Sequence, residues 1–93
     1  MSLIVRRSPR ATAEILGIVA RLAEYSPAAA RRFLDALRHA QEQLAAHPYS
    51  GAPGLLPGTR RLILGDYIIS DRVRRDMVEV YAVRHGKRGD ARP

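Results

Sequence analysis

The chain has 93 residues, no cysteine, and 16 Lys and Arg against 9 Asp and Glu, for a net charge of +7. That length holds one domain with one modest core, and it leaves no room for a deep substrate cavity. The missing cysteines exclude disulfides, thiolate metal sites and a cysteine nucleophile, and the excess of arginine points to an acidic or polyanionic partner. No apolar run approaches the length of a membrane span, and the N-terminus carries no signal-peptide pattern, so a cytoplasmic, membrane-free domain is expected.

Residues 2–6 form a short β-branched run and read as a strand. Ser8-Pro9 is a helix start, because serine caps the first orphan N–H groups and proline has none to leave unpaired. Ala11, Ile15, Ile18, Leu22 and Tyr25 then recur at steps of three and four, the stripe of an amphipathic helix. Gly17 inside it leaves room for another backbone to come close. Ser26-Pro27 repeats the start signal, and Ala30, Phe33, Leu34, Leu37, Gln41 and Leu44 mark a second stripe that ends before Pro48. So short a connection makes the pair an antiparallel helical hairpin.

Residues 48–58 hold three Pro and three Gly and read as a loop. Arg60–Leu64, Tyr67–Val73 and Met77–Val83 then read as three strands joined by turns at Gly65-Asp66 and Arg74-Arg75-Asp76. Simple alternation puts Val78, Val80 and Ala82 on one face of the last strand, and Met77, Tyr81 and Val83 on the other. The fold class is therefore α+β: strand, helical hairpin, then a three-stranded antiparallel meander, with the helices on one face of the sheet. The whole of 1–93 is one domain, and the polar stretch 86–93 is expected to be a mobile tail.

Chemistry-bearing residues are few. His39 and His47 read as ordinary helix-surface and helix-end residues, and no His or carboxylate spacing suits a metal, so neither metal nor cofactor is expected. Ser50 lacks the setting of a hydrolase nucleophile. His85 ends the last strand among cations, where a histidine can move protons near neutral pH. Arg60 and Arg61 open one strand and Arg84, Lys87 and Arg88 follow another, two clusters able to hold phosphates or an acidic segment. Arg72, Arg74 and Arg75 read as a solvated turn.

Four stretches together resemble the RelE/ParE superfamily of bacterial toxins, and within it the ParE branch. They are Ser26–Leu37, Leu44-Ala45-Ala46-His47-Pro48-Tyr49-Ser50-Gly51, Arg61–Ile69 around Gly65 and Tyr67, and Val78-Glu79-Val80-Tyr81-Ala82-Val83-Arg84-His85-Gly86. The resemblance implies the toxin of a type II toxin–antitoxin system, a mediator of growth arrest and of plasmid or chromosome stabilisation. It further implies a cognate antitoxin, ParD-like, whose acidic C-terminal segment wraps the toxin. ParE-type members poison DNA gyrase without being enzymes, and Arg60, Arg61, Arg84, His85, Lys87 and Arg88 are the residues expected to contact the target. RelE-type members cut mRNA in the ribosome, and that alternative would use His85, Arg61 and Arg88 as catalysts. Ile68 stands where the nucleases carry an arginine after the hairpin tyrosine, which favours the gyrase branch. Ser70-Asp71 replaces the aromatics common in that strand of ParE proteins, and Asp71 beside Arg72 suggests a polar strand end or an ion pair.

Overall fold

A computed structural model describes residues 2–86. In chain order these are β1 (Ile4–Arg7), α1 (Pro9–Tyr25), α2 (Pro27–Ala46), β2 (Ala52–Pro53), β3 (Thr59–Leu64), β4 (Tyr67–Arg74) and β5 (Met77–His85). The strands form one mixed sheet in the order β1-β5-β4-β3-β2, parallel between β1 and β5 and antiparallel elsewhere. The strand–hairpin–meander order read from the sequence is the one observed, with β2 as a short addition inside the 48–58 loop.

Local chemistry sets the helix ends. The Ser8 hydroxyl accepts from the Ala11 N–H at 3.0 Å and that of Ser26 accepts from the Ala29 N–H at 3.2 Å, each followed by proline at the first helical turn. Ser26 also ends α1, its own N–H donating to the Leu22 carbonyl at 2.8 Å. One serine thus closes one helix and opens the next, which forces the hairpin. Gly65 turns β3 into β4 with φ 61°, and Arg75 takes φ 56° between β4 and β5. Gly51 has φ 90°, and a Cβ there would lie 2.2 Å from the Arg61 carbonyl oxygen, so only glycine lets β2 approach β3. Gly17 plays no such part: a Cβ there meets nothing within 4 Å.

Both helices pack on one face of the sheet. Ala11, Ile15 and Ile18 of α1 and Phe33, Leu37, Ala40 and Leu44 of α2 close over Ile69, Val78, Val80 and Val83. Tyr25, last in the α1 stripe, is instead 88% exposed. The Leu3 N–H donates to the Ala45 carbonyl at 2.8 Å and ties the start of the sheet to the end of α2.

The face assignment of β5 needs a correction. Ala82 lies opposite Ser70, but Val80 lies opposite Asp71, so Tyr81 is an extra residue in a β-bulge. The bulge resets the alternation: Val78, Val80 and Val83 face the helices, and Tyr81 and Ala82 share the other face. Asp71 needs a second. It sits inside β4, 0% exposed, rather than at a strand end, and neither of its oxygens accepts a hydrogen bond among the described residues.

Candidate functional site

Register decides which cations can act together. Arg60 stands opposite Asp71, and Arg61 opposite Ser70. Because Ile69 belongs to the core, Asp71 and Arg60 share the helix-covered face, and Ser70 and Arg61 point to the opposite, open one. His85 stands opposite Tyr67 and Arg84 opposite Ile68. His85 is therefore on the helix side and Arg84 on the open side. The structure joins Arg84 and His85 at one end of the sheet and holds Arg60 and Arg61 back to back near the other. Arg60 stands four strand positions from the His85 row, about 13 Å, and Arg61 two positions from the Arg84 row, about 7 Å along the strands. Lys87 and Arg88, like the rest of the tail 87–93, lie outside the described residues.

Each cation has a distinct setting. The Arg60 guanidinium lies over the Tyr49 ring at 5.7 Å, and one of its N–H groups reaches the Gly51 carbonyl at 3.4 Å. It is also the charge that acts on Asp71. Burial pushes the Asp71 carboxyl up from 3.8 to about 6, against the opposing pull of Arg60. On the open face Arg72 donates to Glu79 at 2.9 Å and covers Tyr81 at 5.8 Å. Arg84 is exposed, in a row with Ile68 and the 68% exposed Ile63. His85 meets Tyr67 edge to face at 5.5 Å, and Tyr67 meets Phe33 of α2 in the same way at 5.2 Å. The His85 Nδ1 is buried and has no hydrogen-bond partner among the described residues. This stack fixes the imidazole against the helices.

Beside His85 runs an open groove of about 690 Å³ between α1 and the end of β5, with Glu14, Gly17, Arg21 and Tyr25 on one wall and Val83, Arg84 and His85 on the other. Sequence reasoning named only Arg84 and His85 here. Glu14 and Arg21 were nonetheless visible as polar residues flanking the Ala11–Ile18 stripe, at helical steps that bring them to the sheet edge. Among the described residues no three His, Asp or Glu side chains gather to hold a metal ion, and no helix is long and apolar enough to cross a membrane.

A helical hairpin on one face of a small mixed sheet, with arginines on the open face and at the sheet ends, is the α+β frame of this chain. The family described as "ParE toxin of type II toxin-antitoxin system, parDE" matches residues 5–89, and the chain belongs to it. A relative from Sinorhizobium fredii (strain NBRC 101917 / NGR234), named "Putative toxin Y4kP", is 39% identical over 83 residues, covering 87% of this chain and 85% of its own. Among solved structures, a chain described as "Chromosomal ParDE TA system from P. aeruginosa" superposes with a TM-score of 0.78 at 18% identity, covering 90% of this chain and 96% of that one. The last likeness is one of fold.

Proposed function

We propose that this ParE-family toxin inhibits DNA gyrase and is neutralised by a cognate antitoxin of the ParD kind through an acidic segment. Target contact falls to Arg60, Arg61, Arg84, His85, Lys87 and Arg88. The observation that carries the choice of target is the division of Arg61 and His85 between opposite faces of the sheet. Cleaving an RNA phosphodiester needs a proton-moving group and a phosphate-holding cation within a few ångströms of one phosphate. A histidine stacked under the helices and an arginine on the far face do not meet that need. Ile68, beside Arg84 on the open face, supplies no charge in their place. A binding protein has no such constraint, since separated cations can each meet an acidic or phosphate group on a large target.

The test is purified protein with gyrase, ATP and plasmid, scored for supercoiling and for trapped, cleaved DNA. Loss of supercoiling with accumulated linear plasmid is expected, and Arg84→Glu should weaken it about tenfold or more by placing a like charge against the acidic target. Full gyrase activity at a large excess of folded protein, together with mRNA cleavage on ribosomes that His85→Ala abolishes, would overturn the proposal in favour of a RelE-type nuclease.

A further inference from the structure

Arg60 stands between two sets of partners. In the sheet it is opposite Asp71, on the face that the helices cover. Opposed residues on neighbouring strands have Cβ atoms about 5 Å apart, well within the reach of an arginine. Its guanidinium is instead placed over the Tyr49 ring at 5.7 Å and against the Gly51 carbonyl at 3.4 Å. Both contacts are weak: Tyr49 is largely exposed, and the hydrogen bond is at the long limit of its kind. Through them Arg60 pins the first corner of the 48–58 loop. The far half of that loop is tied to β3 separately. There the Thr59 hydroxyl donates to the Leu56 carbonyl at 2.6 Å, and the Gly54 N–H donates to the Thr59 carbonyl at 2.8 Å.

Asp71 is fully buried, and neither of its oxygens has a hydrogen-bond partner among the described residues. A neutral carboxyl tolerates such a place, whereas a carboxylate there demands a cation. Its surroundings offer few. Val80 faces it from β5, and beyond Val80 in the register stands Arg7 of β1, two strands away and exposed. Glu79 of β5 is held by Arg72 on the open face. The buried residues of α1 and α2 include no ionisable side chain. Glu14, half-buried on α1, is taken up by the Val83 N–H and by Arg10. Gln41 of α2 has a buried Oε1 but carries no charge. Arg60 is the charge that acts on Asp71.

We propose that Arg60 is a proton-controlled latch, holding the Tyr49–Gly51 corner while Asp71 is neutral and turning onto the Asp71 carboxylate when the proton leaves. The exchange trades two weak contacts for one charge-assisted pair in a dry place, where such a pair is strong. Burial, which lifts the Asp71 carboxyl to about 6, sets the switch between acid and neutral conditions. Below that value the corner is latched, and above it Arg60 is withdrawn toward the covered face. The ties through Thr59 stay in place, so the change is confined to residues 48–51. Of the three described arginines assigned to the target, Arg60 is the one placed under proton control.

The experiment is an NMR titration of the full chain from about pH 4 to about pH 8, which spans the ordinary and the raised carboxylate range. It follows the Asp71 carboxyl carbon, the Arg60 Nε, the Tyr49 ring and the Ala52 amide, which shares a peptide group with the Gly51 carbonyl. All four are expected to move together, with one midpoint at about 6. Asp71→Asn, neutral and of the same shape, should leave Arg60, Tyr49 and Ala52 in their acid positions at every pH. Arg60→Gln should free the corner at every pH and raise the Asp71 midpoint by about one unit or more, because the opposite charge is gone. His47 ends α2 beside this loop, and histidines titrate in the same interval, so His47→Gln is the control and should leave the transition intact. Thermal unfolding identifies any variant that fails to fold. Arg60→Gln alters a half-buried side chain and carries the test if Asp71→Asn does not fold. The proposal fails if the loop signals stay fixed while Asp71 titrates, or if they vanish in His47→Gln. It fails equally if Asp71 keeps one ionisation state across the range, or if Arg60→Gln leaves the response of the loop unchanged. Gyrase and antitoxin take no part in these measurements, so a negative result removes the latch and leaves the choice of target standing.

Discussion

The two faces of the sheet are built from the same three strands and follow different rules. On the helix side, Leu62, Ile69, Val78, Val80 and Val83 are closed over by two helices, and shape decides what fits. On the open side, Arg72, Arg84 and Ile63 are exposed to water and Arg61 is half-buried. The covered face therefore fixes the fold, while the open face and its ends are free to carry charge. Asp71 breaks the pattern, being a carboxylate on the wrong side of that division.

The contrast can be broken by substitutions on each side. Phe33→Ala should have the largest effect: it empties the wall against which Tyr67 stands, and about 3–5 kcal/mol of stability should disappear in denaturant titration. The His85 ring, held through Tyr67, should lose its fixed environment in the same variant, visible as averaged imidazole signals in NMR. Asp71→Val should act in the opposite direction. The folded chain keeps this carboxyl protonated up to about pH 6, whereas the unfolded chain releases the proton near 3.8. The native protein binds more protons between those values, so stability is fullest below the lower one, falls as pH rises toward about 6, and is level above it. Replacing the carboxylate should add about 2–3 kcal/mol at neutral pH and flatten that stretch of the stability–pH curve. On the open face, Arg72→Ala breaks an exposed ion pair with Glu79 and should cost no more than about 1 kcal/mol, shrinking further in high salt. A loss as large as that of Phe33→Ala would show that the open face is structural after all.

Much of the covered face was legible in the sequence. The two Ser-Pro starts, the apolar stripes and the Gly65 turn are local signals, and each element they imply is present. The bulge was not legible, because an extra residue in a strand leaves no mark on composition: Tyr81 reads as one more β-former. Its effect is large, since it exchanges the faces of Ala82 and Val83 and decides that His85 sits under the helices. The burial of Asp71 was hidden for the same reason, as its neighbours come from β3 and β5 and not from its own strand. For the site, the sequence grouped six cations by proximity along the chain. Register divides the four described ones by face and by end, and adds Glu14 and Arg21 from a helix that reads as core scaffolding.

The parallel pairing of β1 with β5 also has a consequence in time. The hydroxyl of Ser8, just after β1, bonds a carbonyl in β5 that is 73 residues away, so the first strand to be made waits for nearly the last. The helical hairpin can form early from local contacts, but closing so long a loop is slow and has to await its second end. A nascent chain thus carries helices without a sheet for almost the whole of its translation. A chain built this way has no complete sheet until its last strand has been made.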